Sequence, residues 1–131
     1  MNTTPPLTLH GIPNCDTVKK ARAWLDGQGI PYGFVDFRKQ GLSPQQLDDW
    51  VGQLGWQALL NTRGLTWRRL QPAQRAAAAA AAASACRLML EQPTLVRRPV
   101  VQWPDGRAST GFDADDWEQR LQGRLQEPGA A

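Results

Sequence analysis

One cysteine stands where chemistry is available. In "TLHGIPNCDTVKKARAWL", residues 8–25, Cys15 lies between a short apolar run and a segment with Val18, Ala21, Trp24 and Leu25 at helical spacing. A thiol at the start of a helix meets free backbone N–H groups and the positive end of the helix dipole, and both favour negative charge. Such a thiol has a lowered pKa, and the thiolate is the reactive form. Lys19, one turn on, adds positive potential, and Asp16 works against it. Position alone leaves a second reading open, because free cysteine is often a small buried apolar residue. Position 18 decides which redox chemistry is available. A dithiol motif reads C-x-x-C, whereas this stretch reads C-D-T-V. An intramolecular dithiol cycle at the helix start is excluded, and a monothiol cycle with an external thiol such as glutathione remains. The second cysteine, Cys86, could resolve Cys15 only if the fold brought their Cα atoms within about 7 Å.

Other side chains offer less. His10 is the only histidine and falls inside the first predicted strand, where it reads as a core or edge residue rather than a catalytic base. One histidine and two distant cysteines make no metal site. Trp50, Trp56, Trp67, Trp103 and Trp117 read as core or site wall rather than base-stacking platforms. Arg63, Arg68, Arg69 and Arg98 are compatible with plain solvated charges when taken one at a time.

These residues need a scaffold. "LTLHGI" (7–12) reads as a buried strand ended by Pro13, and the segment after Asn14 as a helix stopped by "GQG" (27–29). "YGFVDF" (32–37) reads as a second strand, parallel to the first through a right-handed crossover. "LSPQQLDDWVGQL" has Ser43 as N-cap, Pro44 at the first helical position and Gln46 completing a capping-box pattern. "WQALLNTRG" is expected to continue that helix to about Gly64, with "TWRRLQPAQR" as a connection. The alanine tract 76–83 and "SACRLMLEQP" predict one or two helices ending at Pro93. "TLVRRPVVQWPDGRAST" predicts a strand, a "PDG" turn and a strand. "DADDWEQRLQGRL" predicts a closing amphipathic helix capped by Asp113 or Asp115, with a frayed tail over about 126–131.

A length of 131 residues suits one domain, 1–131, whose core is large enough to fold without staples. Two cysteines are too few for a disulfide framework. The net charge of +3 and pI of about 9.3 fit small anionic substrates and give little support to a nucleic-acid partner. The first ten residues carry no Lys or Arg and no long apolar run, so no secretory leader is expected. The alanine tract is interrupted by Ser84 and Arg87, so neither a bilayer span nor a membrane partner is expected. The expected compartment is the cytoplasm, where thiols stay reduced.

"GIPNCDTVKKARAWL", "LLNTRGLTWRRL", "RRPVV" and the "GF" at 111–112 together resemble the ArsC-like, arsenate reductase-related family, and within it the YffB-type members. The resemblance runs from about residue 7 to 125. It implies an α/β, thioredoxin-like fold with three α/β/α layers and a helical insert over about 43–93. That agrees with the order β-α-β, helices, β-β-α read from the elements. It also implies thiol chemistry linked to glutathione as co-substrate, with no bound cofactor and with glutaredoxin as a further partner. In the family's arsenate reductases a cysteine at the helix start attacks arsenate and three arginines help to hold the anion. Cys15 matches the nucleophile, and Arg98 matches the Arg of the family's "RP" segment. Pro99 is implied to be cis beside the nucleophile, a minority state for X–Pro bonds. Arg63 falls near the first family Arg, and Asn14, Asp16, Thr17 and Lys19 complete the implied substrate- and anion-binding set.

The third family Arg falls near Gly111 and is absent. Arginine's planar fork suits oxyanions, so its loss weakens an arsenate site. Asp16 stands where arsenate reductases have Gly and would repel a dianion at close range. Three functions follow in order. The first is a glutathione-dependent thiol or disulfide oxidoreductase using Cys15 alone. The second is arsenate reduction by the same nucleophile. The third is non-enzymatic: the family also resembles regulators that bind RNA polymerase and sense oxidants through C-x-x-C, a switch that Val18 removes here.

Overall fold

The computed structural model describes residues 7–126. The chain runs β1 (Thr8–Gly11), α1 (Asp16–Gly27), β2 (Gly33–Asp36), a helical insert, β3 (Val100–Gln102), β4 (Ala108–Thr110) and α8 (Ala114–Gln126). The insert holds α2 (Phe37–Gln40), α3 (Pro44–Leu54), α4 (Trp56–Leu59), α5 (Leu65–Arg69), α6 (Pro72–Ala80), α7 (Ala82–Glu91) and a 3-10 turn at Pro93–Leu95. The strands form one sheet in the order β2-β1-β3-β4. β1 and β2 are parallel, as expected, and β3 runs antiparallel to both β1 and β4.

The pleat sorts side chains to two apolar layers. Leu9 and Val101 face one another in the register and join Val18, Ala21 and Leu25 of α1 and Trp117 and Leu121 of α8. One residue along, His10 and Val100 point the other way, toward the insert. There Leu47 and Trp50 of α3, Leu59 of α4, Ala78 of α6 and Leu88 and Met89 of α7 close the second core. The result is the three-layer, thioredoxin-like arrangement. His10 is 2 % exposed, its ring lies 5.0 Å from Trp50, and its Nε2 meets Gln102 Oε1 at 2.7 Å. Burial holds it below its ordinary pKa, so it is a neutral core residue. No helix among the described residues is long and apolar enough to cross a membrane.

Several boundaries differ from expectation. β2 ends at Asp36, whose side chain accepts from Arg38 N–H (2.8 Å) and turns Phe37 into the insert core. Ser43 caps α3 by accepting from Gln46 N–H (3.0 Å), but that helix does not continue to Gly64. Gly55, at φ 87°, stops it; α4 is a single turn, and Leu60 is extended in an isolated antiparallel bridge to Val96. The stretch 66–75 is not a connection but contains most of α5 and the start of α6. Pro72 opens α6, and Gln74 accepts from Gln71 N–H (2.9 Å). The alanine tract breaks at Ala81 into two helices. Residues 94–99 are not strand: the 3-10 turn ends at Leu95 and β3 starts at Val100. Asp113 rather than Asp115 caps α8, accepting from Asp116 N–H (3.1 Å). The tail read as frayed lies, past Gln126, outside the described residues.

The contact that fixes α1 on the sheet is between Gly11 and Val18. A Cβ on Gly11 would lie 2.8 Å from Val18 Cγ2, inside any tolerable contact. Val18 itself is fully buried. Gly11→Ala is therefore expected to destabilise the fold by about 1–3 kcal/mol through overpacking. In a Val18→Ala background the same change should cost much less, and urea denaturation of the four-member mutant cycle measures that coupling.

Candidate active site

Cys15 is the N-cap of α1. Its backbone is extended (φ −143°, ψ 125°), and its carbonyl accepts the first intrahelical bond from Lys19 N–H (2.8 Å). The half-buried thiol packs at the seam of the two cores, touching both. It completes no capping hydrogen bond of full geometric quality, yet the N–H groups of Val18 and Thr17 lie close enough to favour its thiolate. Four influences act on it. Burial is the largest and opposes ionisation. The Val18 N–H, the Arg98 guanidinium by hydrogen bond and by charge, and the Thr17 N–H favour it and together prevail. The thiol therefore sits below its ordinary pKa. Asp16 is exposed at the first position of α1.

Arg98 comes from a segment tied down on both sides. On one side, Arg97 N–H donates to Leu59 C=O (2.7 Å) and Asn61 N–H to Leu95 C=O (2.8 Å), flanking the Leu60–Val96 bridge. On the other, Thr110 Oγ1 donates to Arg97 C=O (2.5 Å) and Gly111 N–H to Pro99 C=O (2.9 Å). The Arg98–Pro99 bond is cis, as the resemblance implied. Arg98 Nη1 donates to Thr94 C=O at 2.7 Å, with Val96 C=O at 3.4 Å. Its buried Nε has no partner among the described residues.

Cys15, Thr17 and Arg98 line one concavity of about 360 Å³, together with Asn61, Arg97, Gly111 and Phe112. The other expected site residues stand outside that lining. Asn14, Asp16 and Lys19 are exposed around the helix start. Pro99 is buried behind Arg98. Arg63 is exposed, and its backbone N–H donates to Asn61 Oδ1 (3.0 Å); Asn61, not Arg63, reaches the wall. Cys86 lies on α7 and does not line the pocket. Burial, and then the charge of Asp48, push its thiol up.

Arg97 was not expected in the site. Gly111 adopts φ 84°, and a Cβ there would lie 3.3 Å from Arg97 Nε and 3.4 Å from Nη2. The guanidinium of Arg97 thus lies over the glycine where a family arginine would begin. The missing arginine at position 111 does not leave the pocket with one guanidinium: Arg97 brings a second. The available signal was the "RRP" run together with the glycine, and only the fold joins them.

Comparison with known proteins follows the same lines. The ArsC family model matches residues 10–120. A solved YFFB protein structure is 41% identical, with a TM-score of 0.82 over 88% of this chain and 98% of that one. The solution structure of an arsenate reductase (ArsC) related protein from Brucella melitensis is 41% identical, with a TM-score of 0.71 over 93% and 98%. A Haemophilus influenzae protein described only as uncharacterized is 37% identical over 86% of this chain and 96% of its own length. The global transcriptional regulator Spx of Listeria innocua is 26% identical over 91% and 89%.

The lowered thiol pKa is also a statement about stability. The folded chain holds the thiolate better than the unfolded chain does. Its contribution is present above the unfolded pKa, about 8.5, and is lost as pH falls through the folded value. Urea midpoints of the wild type and Cys15→Ser should therefore diverge in favour of the wild type as pH rises from 6 to 9.5. In an Arg98→Gln background that divergence should shrink.

Proposed function

The chain belongs to the ArsC family, and from that premise we propose that it is a glutathione-dependent thiol or disulfide oxidoreductase working through Cys15 alone. The observation that carries this reading is the Cys15 thiol itself. It is half-buried, its ionisation is favoured by two helix N–H groups and Arg98, and the fully buried Val18 stands where a dithiol enzyme has its second cysteine. The chemistry is two successive exchanges. The Cys15 thiolate attacks the glutathione sulfur of a mixed disulfide. A new S–S bond to glutathione forms, the old one breaks, and the substrate leaves as a thiolate that takes a proton from solvent. A second glutathione, as thiolate, attacks the glutathione sulfur on Cys15 and releases the Cys15 thiolate with oxidised glutathione. One mixed disulfide and one glutathione become one thiol and one glutathione disulfide. The helix N-terminus and Arg98 stabilise Cys15 both as attacking and as leaving thiolate. Such a cycle belongs to a reducing compartment, the cytoplasm, and glutaredoxin could take the place of the second glutathione.

Arsenate reduction is the second reading, and one observation favours it: Arg97 and Arg98 border the same pocket as the nucleophile. A polymerase-binding regulator is the third. Val18 gives it no dithiol switch, and a pull-down that recovers no polymerase subunit would retire it.

Cys15→Ser is expected to abolish glutathione-coupled reduction of a mixed disulfide and to accumulate no glutathione adduct by intact mass. Cys86→Ser should retain both. Undiminished turnover in Cys15→Ser would contradict the enzymatic reading, whereas arsenate-dependent glutathione oxidation at comparable rates would move arsenate to first place.

A further inference from the structure

We propose that Arg97 is the specificity-determining residue of this pocket: it receives the carboxylate of a thiol or disulfide substrate whose sulfur lies at Cys15. The inference deepens the function proposed above and rests on Cys15 being the nucleophile.

Two arginines border the pocket, and they are engaged differently. Arg98 spends Nη1 on the backbone carbonyl of Thr94 and turns toward the thiol. Arg97 is exposed and enters no ion pair among the described residues. Two carboxylates that line the neighbouring concavity with it are engaged. Asp113 caps α8, and Asp116 pairs with Arg120 at 2.8 Å. An unpaired guanidinium presents a planar fork that matches a carboxylate. Its backbone does not drift, because Leu59 C=O and Thr110 Oγ1 hold it from the two sides. Its side chain rests on bare Gly111, where a Cβ would press on the guanidinium at 3.3 Å.

Position supplies the rest. Arg97, Gly111 and Phe112 border both the thiol pocket and a second concavity of about 480 Å³ that continues to Asp116 and Arg120. A substrate with sulfur at Cys15 and a chain passing over Gly111 brings its acidic end to Arg97. The two arginines divide the work, Arg98 on the nucleophile and Arg97 on the substrate's charge.

The test uses two alkylating probes on full-length protein in a Cys86→Ser background. Iodoacetate carries a carboxylate and iodoacetamide does not. The ratio of their second-order rates at Cys15 reads recognition of the anion, separately from thiolate formation. Arg97→Gln should lower that ratio about three- to ten-fold, as loss of one partly screened charge at the pocket lip implies. Arg97→Lys should recover most of it, and Arg107→Gln, which removes an equal charge from the remote turn, should leave it at the wild-type value. A ratio in Arg97→Gln equal to wild type, a Lys variant as low as Gln, or an equal fall in Arg107→Gln would overturn the inference. Slow iodoacetamide reaction of the parent protein, with an ordinary thiol pH profile, would instead sink the role of Cys15 and the proposed function with it.

Discussion

Burial alone would keep the Cys15 thiol protonated. The side chain sits where the two cores meet, after the inner strand β1, and removing a thiolate from water is costly. Ionisation is favoured there only because the chain aims positive charge at the sulfur from two directions: the first turn of α1 and the guanidinium of Arg98. The first follows Cys15 directly in the chain, and the second does not. The helix points at the sulfur because Gly11 lets Val18 pack directly on β1, and Arg98 arrives from a segment more than eighty positions away in the chain.

That segment, 94–99, is the second organising element. It is neither strand nor helix after Leu95, and its backbone groups are satisfied by neighbours on both sides: 59–61 from the insert, and Thr110 with Gly111 after β4. The insert thus contributes to the site as well as to the core, since its short bridge at Leu60 helps hold Arg97 and Arg98. One thiol and two guanidinia in one pocket are what the proposed exchange with a small anionic thiol calls for, its second sulfur coming from outside the protein.

Much of this was legible from residues. The strand–Pro–cysteine–helix order placed Cys15 correctly, because an apolar run, a proline and a helical periodicity are all local signals. Ser43 was found as a cap for the same reason, and Asp113 as one of two candidates with Asp115. The "RP" segment pointed to Arg98 and the cis bond through resemblance to a family. What escaped is what depends on distant chain segments. Gly55 at positive φ cuts a helix that periodicity would have run onward to Gly64, and the bridge it frees at Leu60 pairs with residues 36 positions away. Resemblance placed Arg63 near the anion site; its side chain is exposed, and Asn61, two positions earlier, lines the pocket. Arg97 was not singled out, because its place over Gly111 joins residues from two sides of a hairpin.

The most direct test of the central claim is the pH dependence of Cys15 alkylation by a neutral reagent in Cys86→Ser protein. The account predicts a midpoint clearly below the free-thiol value of about 8.5, rising toward it when Arg98 is replaced by Gln. A midpoint at or above that value, or slow alkylation at every pH, would contradict it and make Cys15 a packing residue.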